Sequence, residues 1–264
     1  MLRLKVLIRG AGEMASAIAH RLTRSGLRVL MTEVPTPMAV RRAVSYCEAV
    51  WEGLKEVEGV VGQLVSGEGE LEQAWARGEA GVIVDPEMES LGWLKPDVVV
   101  DATLAKRNLG MRPTLARLTI GVGPGFRAPD DVHVVIESNR GHNLGRLIYS
   151  GEAEPNTGVP GPIAGYTHQR VMRAPAGGVW EPVVELGARV SEGQVVGMVG
   201  GQEVKAGVGG IVRGLLRAGL KVEPGTKLGD VDPRGRPEYL NTISEKARAI
   251  AGGVLEAIMA EFNR

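Results

Sequence analysis

Cysteine is almost absent from this 264-residue chain, where Cys47 stands alone. That excludes an internal disulfide framework and any cysteine-based zinc knuckle. No basic side chain adjoins Cys47 in sequence to lower its pKa, so it reads as a small semi-buried residue rather than a nucleophile. Aromatic residues are scarce at 4%, so Val, Leu, Ile and Ala must fill the cores that a 44% apolar content supports. Neither sign of charge is in excess, with 31 Lys and Arg against 31 Asp and Glu. Nothing there favours nucleic acid or an anionic membrane surface. No apolar run approaches the roughly 20 residues of a membrane-spanning helix. The opening run is broken by Lys5 and Arg9 and is too short for a signal segment. The expectation is a soluble, cytoplasmic chain of one large or two modest domains, without a metal site. What abounds is glycine: 38 residues, double a usual share of about 7%.

Leu4 to Ile8 is a short β-type run, followed at once by Gly10-Ala11-Gly12-Glu13-Met14-Ala15. This is the G-x-G-x-x-[GA] fingerprint in its required setting, with a strand before it and an amphipathic helix after it. A second strand, Arg28 to Thr32, ends in Glu33, about 20 residues downstream, where an acid can bond a ribose hydroxyl. Gly10 permits the turn, and Gly12 lets backbone amides near Glu13, Met14 and Ala15 approach a phosphate. Arg9 and Glu13 bracket the glycines. Glu13 would either repel a phosphate or pair with Arg9 and point away. Beyond Glu33 the pattern predicts a helix from Met38 to about Tyr46 and a strand from Val57 to Val65. The buried-type runs 81–84, 97–100 and 118–122 end in Asp85, Asp101 and the glycines Gly123 and Gly125. Acids and glycines thus gather at strand ends, the ligand edge of an open α/β sheet. Asp101, Lys106 and Asn108 fit that edge, or a solvated loop.

The stretch 120–165 mixes glycine and proline with Asn139, Arg140, His142, Asn143 and Arg146. Two guanidiniums beside flexible backbone suit a planar anion. The competing reading is internal pairing, with Arg140 or Arg146 answering Glu137, Glu152 or Asp131. His142 alone among four histidines lies in a polar, glycine-rich context. His20 is expected on a helix surface, His133 in a strand and His168 in a loop.

From Gly178 the chain repeats itself at an offset of 32 residues: Gly178 on Gly210, Gly187 on Gly219, Gly193 on Gly225, Gly197 on Gly229. Apolar residues fall on apolar ones between them, giving two halves that must pack on each other. The pattern resembles the biotinyl/lipoyl barrel-sandwich hybrid. Its modifiable lysine would sit at the hairpin tip, but here the tip is Gly200-Gly201, and Lys205 falls within the return strand. No lipoyl or biotinyl group is expected. Asn241 can cap a last helix with an apolar stripe from Ile243 to Phe262.

The segments IRGAGEMASAIAHRL, VRRAVSYCEAV, VVVDATLAKRN, GVGPGF, IESNRGHNLGR, PNTGVPGPIAGY and RGLLRAGLKVEPGTKLGDVDPR resemble the YqeB family. Glu13 stands where Asp is expected in that family, and Cys47 where a small polar residue is usual. The resemblance implies an accessory, or maturation, protein of selenium-dependent molybdenum hydroxylases. It also implies a first domain similar in kind to that of the XdhC accessory proteins. A molybdenum hydroxylase apoenzyme would be its partner, and it is compatible with a homo-oligomer. The cofactor is open, with NAD(P) or molybdopterin dinucleotide as the candidates. Whether the chain is an enzyme is also open. The alternative function is an NAD(P)-dependent oxidoreductase, against which stands the lack of a Tyr-x-x-x-Lys pair and of an acid/base dyad.

The expected fold class is therefore α/β. A Rossmann-like parallel-sheet domain spans 1–126 and a glycine-rich connection with the candidate site spans 127–170. A barrel-sandwich domain spans 171–234, and a C-terminal helix lies within 235–264.

Overall fold

The computed structural model describes residues 3–263 and divides into two compact units. The first gathers residues up to Pro37, Val44–Asn156 and Ile243 onward. The second gathers Met38–Ala43 and Thr157–Thr242.

In the first unit, β1 (Lys5–Arg9) leads through the glycine turn into α1 (Glu13–Arg24) and on to β2 (Arg28–Glu33). The short α2 (Ala49–Glu52) precedes a hairpin of β3 (Leu54–Val57) and β4 (Val60–Leu64). Then come α3 (Glu68–Ala76), β5 (Ala80–Val84), α4 (Leu91–Leu94), β6 (Val98–Asp101) and β7 (Leu118–Val122). The small pair β8 (Arg127–Ala128) and β11 (Gly151–Glu152) brackets β9 (Val134–Ile136) and β10 (Leu147–Ile148). The chain returns to this unit as α5 (Glu245–Phe262).

Nine strands form one sheet in the order β10-β9-β7-β6-β1-β2-β5-β4-β3. β6 and β7 are buried along their whole length, which is why they read as unbroken apolar runs. Strand order reverses at β1 and β6, neighbours in parallel register. Such a reversal opens a crevice beyond the strand ends. On one face α5 lies along α1 and against β7 and β9.

The expected fold class is corrected here. The sheet is mixed rather than parallel, because β3 pairs antiparallel with β4 and β10 antiparallel with β9. The cause at the first edge is the turn Glu58-Gly59, with φ of 44° and 79°. It splits the single strand expected at 57–65 into a hairpin. The last helix is not a separate piece but part of the first unit. Its cap is Ser244, whose hydroxyl accepts from the Ala247 N–H, rather than Asn241. The expected helix from Met38 is replaced by two 3-10 turns, Arg42–Val44 and Tyr46–Glu48. His20 is buried, not on the surface, with its ring against the Glu58 carbonyl. Among the described residues no helix is long and apolar enough to cross a membrane.

The second unit consists of two four-stranded antiparallel sheets rather than the class expected. One holds β12 (Val171–Arg173), β19 (Lys227–Asp232), β17 (Gly210–Leu215) and β14 (Arg189–Val190). The other holds β16 (Gln202–Lys205), β15 (Val195–Val199), β13 (Gly178–Pro182) and β18 (Lys221–Val222). The 32-residue repeat is present in the backbone itself. Gly178 and Gly210 share φ of 156° and 155°, and Gly187 and Gly219 share 91° and 81°. Their core surrounds Trp180, fully buried, whose indole N–H donates to the Leu216 carbonyl at 3.1 Å. Gly200 and Gly201, with φ of 56° and 77°, form the hairpin turn, and the Lys205 ammonium meets Glu203 at 2.9 Å.

The GDVDPR block closes this unit. Buried Asp232 accepts from the Arg234 backbone N–H at 3.1 Å and from its guanidinium at 2.9 and 2.6 Å, with Arg213 at 3.5 Å. Burial alone would raise this carboxyl, but the bonds and charge of Arg234, aided by Arg213, hold it below its ordinary value. A depressed carboxylate pKa gives stability that is present above the unfolded value and lost as pH falls through the folded one. Acid titration followed by circular dichroism should therefore show Asp232→Asn less stable near neutrality, with a smaller further loss below about pH 4 than wild type.

Candidate functional site

The glycine loop is held rigidly from beneath. The Gly10 N–H donates to the Thr32 carbonyl at 2.8 Å, and the Ala11 carbonyl accepts from the Cys47 N–H at 2.8 Å and the Ser16 hydroxyl at 2.9 Å. Ser16 in turn accepts from the Tyr46 N–H at 2.7 Å. Cys47 is buried, and its backbone N–H serves the loop. Glu33 closes the loop from the side. One carboxylate oxygen takes the Ala11 N–H at 2.9 Å and the other the Val34 N–H at 2.8 Å. Burial raises its pKa, against the lowering effect of those two bonds. A carboxylate has about four acceptor sites, so lone pairs remain for a ligand hydroxyl.

Gly10 and Gly12 are glycines for different reasons. Gly10 has φ of 92°, which side chains rarely adopt, and a Cβ there would lie 3.5 Å from Thr103. Gly12, the α1 cap, has φ of −72° and ψ of −174°, open to any residue, and a Cβ would meet nothing within 4 Å. Neither conformation nor packing explains glycine at position 12.

Other loops converge on the same sheet edge. A Cβ on Gly123 would clash with the Ser138 hydroxyl and one on Gly125 with the Arg107 backbone, so these glycines let the β7 loop close on its neighbours. Asp101 is fully buried, takes the Thr103 N–H and hydroxyl at 3.0 and 2.6 Å, and lies 3.8 Å from the Arg9 guanidinium. Burial raises its pKa. Arg9 also donates to the carbonyls of Leu109 and Pro86. Arg9 is thus committed to Asp101 and the loop beyond it, not to Glu13. Asn108 is spent within its own turn and on Asp131 at 3.0 Å.

The 139–146 segment divides by role. Glu137 is buried and accepts from the backbone of Asn139 and Glu154 at 2.6 and 2.7 Å. The side-chain amides of Asn139 and Asn143 both donate to Glu154, which lowers its pKa. These are structural ties. Arg140 pairs with Glu245 at the start of α5, an answer different from the acids expected; Glu152 is met by Arg127 instead, at 2.6 Å. Arg146 lines a separate cleft of about 590 Å³ with Asn143, Tyr149, Glu152 and Glu154. His142 is exposed. Of the five residues expected as one anion site, Asn139, Asn143 and Arg146 gather at Glu154 and its cleft, while Arg140 turns to Glu245 and His142 is exposed.

Lys246, in the first turn of α5, was not legible as a site residue. It is half-buried and makes no hydrogen bond or ion pair among the described residues. Burial lowers its pKa first, and the charge of Arg140 next. Glu13 and Glu137 oppose, and Lys106 adds slightly to the lowering. The clamp is Gly145 against α5, where a Cβ on Gly145 would sit 2.8 Å from the Ala249 carbonyl oxygen. The sequence signal was the paired glycines Gly252-Gly253, which mark a close approach of that helix.

No family model matches the chain. Among solved structures, the ectoine utilization protein EutE (DoeB) of Ruegeria pomeroyi is 12% identical, with 87% of this chain and 85% of that one covered, at a TM-score of 0.26. An aspartoacylase family protein of Mesorhizobium loti is also 12% identical, with 87% and 85% covered, at 0.27. A likeness at that score fixes neither fold nor chemistry. In sequence, the chain is 51% identical over 254 residues to the uncharacterized protein YqeB of Escherichia coli K12, covering 96% of this chain and 47% of that protein. The chain thus spans about half the length of this relative, and over that span the two are similar.

Proposed function

We propose that this chain is an accessory protein in the maturation of selenium-dependent molybdenum hydroxylases, and that it binds a nucleotide-type ligand of the molybdopterin dinucleotide kind. The single observation carrying the ligand reading is Gly12, a glycine that the fold does not require, facing open space at the crevice between β1 and β6. A phosphate approaching the first amides of α1 needs that space. Glu33, already fixed on Ala11, has acceptor capacity for a ribose hydroxyl. The maturation role rests on the YqeB resemblance and on its likeness in kind to the XdhC accessory proteins.

Thermal shift of the purified chain with NAD, NADP, CTP and molybdopterin dinucleotide tests the ligand. The expected result is the largest rise with molybdopterin dinucleotide. A larger rise with NAD or NADP, accompanied by hydride turnover, would favour a dehydrogenase instead. No rise with any of them would end the reading. Maturation is tested in cells: deleting the gene should leave the hydroxylase apoprotein present but inactive.

A further inference from the structure

A cavity of about 260 Å³ opens between α1 and α5. It lies at the far end of α1 from the glycine loop, about 15 Å along the helix axis. Its apolar lining is Ala17, Ile243, Ala251 and Leu255, and Arg21, Arg24, Arg248 and the His20 ring face the same space. No carboxylate among the described residues lines it.

The helix dipole accounts for only part of this charge. Arg21 and Arg24 stand in the last turn of α1, where a cation is favoured. Arg248 stands at the opening of α5, where the dipole favours an acid instead. It is fixed there by Glu58, whose carboxylate takes the Arg248 guanidinium at 2.6 Å and the Ile243 N–H at 2.8 Å. The Glu58 carbonyl meets the His20 ring at 3.4 Å. One residue of the β3–β4 turn, at φ of 44°, thus positions two of the four basic groups. Arg21 is half-buried, and glycine at 252 leaves it room, since a Cβ there would lie 3.4 Å from its guanidinium. The guanidiniums of Arg21 and Arg24 make no hydrogen bond or ion pair among the described residues. Two uncommitted forks beside a third cation, over an apolar lining, are the complement of a planar or tetrahedral anion with a small hydrocarbon body.

We propose that this cavity binds a small molecule bearing a doubly charged oxyanion, a phosphate monoester or a dicarboxylate, held by Arg21 and Arg24 with Arg248 behind them. The site is separate from the glycine loop and does not rest on the reading of that loop.

The test is a titration of the full chain with inorganic phosphate, succinate and acetate at fixed ionic strength, read at the His20 ring by nuclear magnetic resonance. Phosphate or succinate should shift His20 saturably, and acetate should bind at least about tenfold more weakly, the scale of one lost charge-assisted bond. Tighter binding of phosphate assigns a phosphate ligand, and tighter binding of succinate a dicarboxylate. Arg21→Gln and Arg24→Gln should each weaken the response about tenfold, while Arg77→Gln, which removes the same charge elsewhere, should not. Gly12→Asp should leave it intact. A His20 response lost in Gly12→Asp would place the anion in the loop and overturn the proposal. So would wild-type affinity in both arginine variants, equal affinity for acetate, or no saturable shift in wild type. None of the last three touches the loop.

Discussion

Gly12→Asp should abolish binding of every phosphate-bearing ligand while leaving the fold as stable as wild type, or slightly more so. The two halves of that expectation come from separate facts. At φ of −72° and ψ of −174° the backbone accepts any residue, and a Cβ would meet nothing within 4 Å. Position 12 is moreover the cap of α1, and it makes no side-chain cap bond. Aspartate is a better cap than glycine by a few tenths of a kcal/mol. For a ligand the same carboxylate is an obstacle, since it fills the approach and sets a negative charge against a phosphate. The loss should be at least a hundredfold, about 2.7 kcal/mol. Gly10→Ala is the contrast: at φ of 92° it should lower stability by about 1 kcal/mol or more, because that glycine is conformational. Titration beside a melting curve for each variant reads both quantities.

Gly253→Val should be strongly damaging to the first unit. A Cβ at 253 would overlap the Gly145 carbonyl oxygen and press on Ile136 at 3.3 Å, and neither backbone segment is free to retreat. Gly145 is itself tied by its N–H to the Glu137 carbonyl at 2.9 Å. Overpacking of this kind costs about 1–3 kcal/mol, and valine recovers only part of the glycine penalty in a helix. A fall in melting temperature of roughly 5 °C is expected, at about 2–4 °C per kcal/mol for a unit of this size. Gly252→Ala should not lower it, since a Cβ there meets only the Arg21 guanidinium at 3.4 Å.

Much of this was legible from pattern. The strand, glycine turn and helix at 4–24, the acid at Glu33 and the runs behind β6 and β7 follow from apolar periodicity and glycine placement. The 32-residue repeat was visible because paired glycines must adopt paired backbone torsions, and they do. What failed was parallel character at the sheet edges. There a two-residue turn such as Glu58-Gly59 decides strand direction, and the apolar run around it does not. The site was half legible. Sequence proximity made 139–146 look like one cluster, and Asn139, Asn143 and Arg146 do gather at Glu154 and its cleft, but Arg140 turns away to Glu245. α5 lies over 200 residues from α1, and only tertiary packing joins them. No local pattern encodes that distance.

The central claim is that the Gly10–Ala15 loop is a phosphate cradle. Calorimetric titration of the whole chain with molybdopterin dinucleotide tests it most directly, with Gly12→Asp as the paired sample. The account predicts saturable binding at one site per chain in wild type and no heat of binding in a Gly12→Asp protein that melts normally. Equal binding by the two proteins, or none by wild type, would contradict it.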